Sequence, residues 1–252
     1  MAYAGAGGRL RPAVGAEDER VDLALGPVGR DDGALANLGD RVGDELGGQF
    51  RLAMQIPGKE EFAETLRYYT RRMEVLGVNV KLGTRATPDL LTGFDEVVVA
   101  TGVAPRTPSI PGITHAKVVS YPDAITGRVA IGRRVAVIGA GGIGFDVTEL
   151  LAHEDDESLE DWKAHWGVAD PAVARGGVTD KAPRTPKREV WLLQRKESAQ
   201  GKGLGKTTGW VHRAIVKDLG AHQLNGVTYD KVDDAGLHIT IDGRAQVLDV
   251  DH

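Results

Sequence analysis

The 252-residue chain contains no cysteine. That absence excludes disulfides, a thiol nucleophile, CxxC redox chemistry and cysteine-held zinc or iron–sulfur clusters within these residues. No apolar run approaches the ~20 residues of a membrane span, and charges stand at the N-terminus where a secretory signal needs an apolar stretch. No membrane partner and a cytoplasmic location are therefore expected. Excess positive charge is also missing. The net charge is -5, without the basic face that a nucleic-acid partner requires. There is no GxSxG and no HExxH, and no carboxylate pair has a spacing that singles it out. The seven histidines are scattered and read as surface or satisfied groups, so no catalytic or metal-ligating residue is assigned.

What the chain does have is enough apolar character for a globular core, at 41% hydrophobic and 27% charged, and an excess of glycine. The 34 glycines are nearly twice the usual share of about 7%. They are unevenly placed. The first 48 residues hold 11 glycines, five arginines and nine acidic residues, and no Ser, Thr, Ile, Lys or His. Four of the five net negative charges therefore lie there. Apart from a short VDLAL stretch, no helical or strand period runs through this part. It reads as irregular, with few large apolar groups to offset the entropy of ordering. Its vocabulary is that of a GC-rich gene read in a wrong frame, or of a native flexible extension.

From Leu46 onward the pattern becomes regular. After Pro57, the residues Phe62, Leu66, Tyr69, Met73 and Leu76 recur at steps of four and three. This is one apolar helix face with Gly77 placed to end it, and the stripe is expected to be core. VNVKL (78–82) reads as a short strand. DEVVVATG (95–102), a continuous apolar run, reads as a buried parallel strand. PRTPSIPG (105–112) reads as a proline-rich connector. RRVAVIGAGGIGFDVTELLAH (133–153) reads as strand, glycine turn and helix. Residues 154–188 are polar and read as a long, mostly surface insertion. EVWLLQRK (189–196) is a strand and TTGWVHRAIVKDLG (207–220) a helix. VTYDKV, GLHITI and AQVLDV alternate and form an antiparallel meander around Asp233, Asp234 and Gly236, then Asp242 and Gly243. Alternating strands and helices imply an α/β fold.

The chemistry centres on Gly139-Ala140-Gly141-Gly142-Ile143-Gly144. A GxGxxG carries little weight alone in so glycine-rich a chain, but this one follows an apolar strand and opens a helix, as dinucleotide binding requires. Gly139 suits the tight turn, Gly141 the approach of a pyrophosphate, and Gly144 close packing of helix on strand. The helix N-terminus adds free N–H groups and partial positive charge. The next strand ends in Gln194-Arg195-Lys196. An acidic residue there would hold the ribose hydroxyls of NAD, whereas cations suit the 2′-phosphate of NADP. A solvated basic turn is the alternative. Gly205-Lys206-Thr207 suggests a P-loop and a nucleoside triphosphatase, but the glycine needed five residues earlier is Gln200. The loop more readily closes over a cofactor phosphate or stays mobile.

Four segments, ELGGQFRLAMQIPGKEEF, VVVATGVAPRTPSIPGI, RVAVIGAGGIGFDV and LLQRKESAQGKGLGKTTGWVHR, together resemble the C-terminal half of the NADPH-dependent 2,4-dienoyl-CoA reductases, members of the old-yellow-enzyme-related iron–sulfur flavoproteins. The resemblance covers about residues 44–252. It implies two Rossmann-like dinucleotide-binding units, as in glutathione and thioredoxin reductases, with the FAD unit incomplete. The divisions it implies are an irregular segment 1–43, a partial FAD-binding domain 44–111, an NADPH-binding domain 112–246 carrying the insertion 154–188, and residues 247–252 returning to the FAD domain. It implies that Gly139, Ala140, Gly141, Gly142, Ile143 and Gly144 hold the NADPH pyrophosphate and that Arg195 and Lys196 lie near its 2′-phosphate. Gly47, Gly48, Gln49, Ala100, Thr101 and Gly102 would belong to an FAD site. Family members reduce conjugated acyl-CoA substrates of fatty acid β-oxidation on an FMN and iron–sulfur barrel. That barrel has no counterpart in these residues, so a separately encoded one is a conceivable partner. The expected function is hydride transfer from NADPH to FAD, with FAD weakly retained. The alternative is a non-catalytic nucleotide-binding fragment or a mispredicted reading frame.

Overall fold

The computed structural model describes residues 34–36, 45–100, 102–153 and 157–252, the first three by backbone alone. Two compact units divide the chain: Met1–Leu46 with Tyr69–Ala104, and Gly47–Tyr68 with Pro105–His252. In chain order, β1 (Ala34–Ala36), α1 (Gln49–Ala53), α2 (Phe62–Val75) and β2 (Asn79–Lys81) come first. In the first unit β1 and β2 pair in parallel, with Ala34 opposite Asn79. A short strand therefore lies inside the stretch read as irregular, where Ala34–Ala36 find backbone partners despite their lack of pattern.

Two expectations need correction. The α2 stripe does form a helix face, but Tyr69 is 56% and Leu76 50% exposed, and α2 holds no buried residue. Periodicity specifies which face turns inward, while burial needs an opposing layer. At the N-terminal end the Phe62 ring does find one, 5.1 Å from Phe50. The apolar run 95–102 is not a buried strand. Val99 makes only a single bridge and is 65% exposed. A continuous apolar run becomes a central strand only when neighbours flank it on both sides, and the described residues supply none.

The second unit holds α3 (Tyr121–Ile125), β3 (Arg134–Ile138), α4 (Gly142–Ala152), α5 (Leu159–Trp166), β4 (Glu189–Leu193), α6 (Gly209–Asp218), β5 (His222–Leu224), β6 (Thr228–Asp233), β7 (Gly236–Ile241) and β8 (Arg244–Leu248). β3, β4 and β5 form a parallel sheet with β4 in the middle. β6, β7 and β8 form the expected antiparallel meander. The fold is α/β with a Rossmann-like strand–turn–helix at its centre.

The alternation of β4 builds the layers. Val190 packs with Val135, Val147, Leu151 and Leu219, and Leu192 packs with Phe145 and Val216, all on the side of α4 and α6. Leu193 points the other way, among Val227, Leu237, Ile239 and Val250 of the meander side. Side chains two apart share a face, and successive ones do not. Beyond β8 the chain lies along β3, where Asp251 N–H donates to the Arg134 carbonyl and Ala136 N–H to the His252 carbonyl.

The polar insertion contains more order than its composition suggests. Ser158 caps α5 by accepting from Asp161 N–H, and Gly167 ends it at φ 67°, both standard helix boundaries. Lys187 N–H donates to the Ala152 carbonyl at 2.9 Å. The insertion therefore leaves and re-enters at one point, which leaves the register of β3 and β4 undisturbed. Among the described residues no helix is long and apolar enough to cross a membrane.

Phe145 is fully buried between α4, β4 and α6. Phe145→Ala is expected to cost about 3–5 kcal/mol and to lower the thermal midpoint by on the order of 10 °C, measured by circular dichroism.

Candidate functional site

The glycine turn has the geometry its sequence implies. Gly139 leaves β3 at φ 112°, a conformation that side chains rarely adopt. Gly141 precedes the first turn of α4, and a Cβ on Gly141 or Gly142 would meet nothing within 4 Å. The backbone there faces open space and offers its N–H groups. Gly144 is the opposite case. A Cβ on it would lie 1.7 Å from the Gly139 carbonyl oxygen, so α4 seats on the turn only without a side chain. Ala140 packs toward Phe145 and Leu192, and Ile143 is exposed.

Two clefts meet at this turn. The more polar one, about 850 Å³, is lined by the end of β3 and the turn, by residues 106–110, by the start of β6, and by the loop after β4. Four cations line it, Arg106, Arg195, Lys196 and Lys202, and no carboxylate does. The second, about 600 Å³ and mainly apolar, runs from the same turn past Tyr121, Val135 and Val137. Like charges gathered on one wall raise the local potential and favour an anion. Tyr229 lines the polar cleft as a neutral phenol. Burial pushes its hydroxyl up to about 12, and the Arg195 charge opposes that.

The expected residues of this cleft come together: Gly139, Ala140, Gly141 and Gly142 with Arg195 and Lys196. Arg106 and Lys202 complete it. Arg106 was masked in the sequence by its proline-rich setting, and Lys202 was legible only as part of a basic, glycine-rich loop. Lys206, the P-loop lysine, does not line the cleft. The loop is held from within: Gln194 Nε2 donates to the Lys196 carbonyl at 3.1 Å and to the Ser198 carbonyl. The glycine turn and the cations fit a dinucleotide.

The residues assigned to FAD are less well grouped. Gly47 (φ 120°) and Gly48 (φ 44°) lead into α1, and Gln49 lies 3.5 Å from the Tyr121 hydroxyl. Ala100 and Gly102 belong to the other compact unit, and Thr101 lies outside the described residues. Neither large cleft is lined by any of the described members of this set. Among the described residues, no group of three or more His, Asp or Glu is placed to hold a metal.

Behind the turn, α4 carries an electrostatic cluster. Lys59 Nζ pairs with Asp146 at 2.6 Å. Glu149, 6% exposed, lies 3.7 Å from His212 Nδ1. Burial, then the Asp146 charge, raise the Glu149 carboxyl to about 7, against the opposing influence of Lys59 and Arg184.

Comparison with known proteins places these features in context. The profile of the family described as pyridine nucleotide-disulphide oxidoreductase matches residues 60–252. A metal reductase of Desulforamulus reducens is 28% identical over 191 residues, covering 72% of this chain and 27% of that protein. A bilirubin reductase of Mediterraneibacter gnavus is 36% identical over 115 residues, 42% of this chain and 17% of that protein. The chain thus spans about a quarter or less of the length of these relatives. Among solved structures, 2-naphthoyl-CoA reductase in complex with 2-naphthoyl-CoA superposes with a TM-score of 0.62 at 24% identity, over 83% of this chain and 27% of that one. That likeness is one of fold.

Gly144→Ala is expected to force α4 off the turn and to cost about 1–3 kcal/mol, read as a lower urea midpoint with unchanged m-value. The raised Glu149 carboxyl predicts a second effect. The folded state binds its proton more tightly than the unfolded chain, so stability falls as pH rises from about 4.5 to about 7. Glu149→Gln should flatten that slope and gain on the order of 2 kcal/mol at pH 8, measured by urea unfolding at pH 5, 7 and 8.

Proposed function

The chain belongs to the pyridine nucleotide-disulphide oxidoreductase family, whose members bind FAD and NAD(P)H, and from that premise we propose that it is an NADPH-dependent flavin oxidoreductase module. The observation that carries the choice of NADPH is the cleft in which four cations and no carboxylate face the glycine turn. An NAD-preferring site places an acidic side chain at the end of the strand after the fingerprint. Here that position is Gln194-Arg195-Lys196.

The roles of the residues follow from their chemistry. The open N–H groups of Gly141 and Gly142 donate to the pyrophosphate at the α4 N-terminus. The Arg195 guanidinium offers paired donors to the 2′-phosphate, and Lys196 and Lys202 add point charges. When bound, reduced nicotinamide supplies a hydride. The apolar cleft beyond the turn, with Tyr121, Val135 and Val137, excludes water on that side.

The finer reading is a reductase module of the 2,4-dienoyl-CoA reductase kind, working in the cytoplasm with an acceptor barrel that carries FMN and an iron–sulfur cluster. The four segment resemblances support it.

Calorimetric titration should show NADPH binding at least about tenfold more tightly than NADH, as expected for several charge-assisted contacts. Arg195→Ala with Lys196→Ala should erase the difference. Equal affinities in the unsubstituted protein would count against the proposal. Absorbance of the purified chain should show less than stoichiometric flavin, and stoichiometric flavin would overturn the weak FAD retention expected from the sequence.

A further inference from the structure

Gln200 does not line the polar cleft, yet Ala199, Gly201 and Lys202 beside it do. Its side chain is 3% exposed. Nε2 donates to the Leu192 carbonyl at 2.7 Å and to the Leu224 carbonyl at 3.1 Å. Leu192 stands one residue before the end of β4, and Leu224 ends β5. One amide therefore ties the loop to the C-terminal ends of two neighbouring parallel strands. Burying such an amide is unfavourable unless it finds partners. Here both Nε2 donors are used, while Oε1 has no partner among the described residues.

The next residue is fixed as well. Arg213 Nη1 donates to the Gly201 carbonyl at 3.1 Å. A Cβ on Gly201 would lie 3.0 Å from Arg213 Cγ, Leu204 Cδ1 and Phe145 Cζ, so the loop already rests against α4 and α6. With Gln194 holding the turn upstream, Arg195 and Lys196 lie between two anchored glutamine amides and Lys202 follows two residues after the second.

We propose that Gln200 is a positioning residue that sets the preference for a 2′-phosphorylated nucleotide, by holding Lys202 on the same wall as Arg195 and Lys196. The inference rests on the dinucleotide reading of the cleft. Gln200 acts on the loop after β4, whereas the pyrophosphate turn belongs to β3 and α4. Loss of the amide therefore releases the 2′-phosphate contacts and leaves the contacts common to both nucleotides. A contribution to general folding alone would instead weaken both nucleotides together.

The test is calorimetric titration of the full chain with NADPH and with NADH, for the unsubstituted protein, Gln200→Met and Lys202→Met. Methionine keeps the approximate size of glutamine and removes the donor. Gln200→Met should weaken NADPH about tenfold, the scale of one charge-assisted contact, while NADH changes less than about twofold. Lys202→Met, an exposed substitution, should do the same. If Gln200→Met does not fold, by circular dichroism, Gln200→Leu takes its place: an NADPH-selective loss supports the inference and an unchanged ratio overturns it. A proportional loss of both nucleotides in Gln200→Met also overturns it. An unsubstituted protein that binds neither nucleotide overturns the dinucleotide reading and this inference with it. A preference kept by both variants overturns the inference alone.

Discussion

The second compact unit depends on one strand being buried on both faces. β4 sends Val190 and Leu192 toward α4 and α6 and Leu193 toward the meander. Burying a side chain of this size contributes about 1.5–3 kcal/mol, and here three buried positions on two faces join all three layers. The same strand ends at the polar cleft. Its exit, Gln194-Arg195-Lys196, brings the cations to the wall, and the Leu192 carbonyl takes the amide that pins the rest of the loop. Stability and binding geometry are therefore built on one element, and disturbance of β4 reaches both.

The partner of that strand is a contact defined by a missing atom. Gly144 lets α4 approach the Gly139 carbonyl to a distance that no Cβ would allow. This closeness aims the α4 N-terminus at the mouth of the cleft, where N–H groups remain unsatisfied by the helix itself. The helix N-terminus and the cations then line one cleft. A site arranged before the ligand arrives loses less to reorganisation on binding. The buried amide of Gln200 has meaning in that setting, because it keeps a glycine-rich loop from sampling other conformations.

Much of this was legible in the sequence. The strand–turn–helix around Gly139–Gly144, the helix over α6 and the three meander strands all follow from apolar period and turn residues. Arg195 and Lys196 were found because they end the strand after the fingerprint. The failures share one cause. Val97–Val99 and Tyr69 have the pattern of buried groups and are exposed, since pattern describes a face and not its covering layer. Arg106 and Lys202 had no local period or motif to mark them, and Gln200 drew notice only as the residue that spoils a P-loop.

By itself the sequence determined the chemistry available: no thiol, one glycine turn fit for a pyrophosphate, and cations where a carboxylate would select NAD. These are properties of residue type and short spacing, which act over one or two turns of chain. Only the tertiary structure decided which cations share the cleft, because Arg106 comes to it from a segment far in sequence from the loop that carries Arg195, Lys196 and Lys202. It also decided that a buried glutamine amide, invisible to any periodicity, joins the ends of β4 and β5. Hydrogen bonds between strand ends depend on register and sheet order, and those are settled by packing across the whole layer rather than by neighbours in sequence.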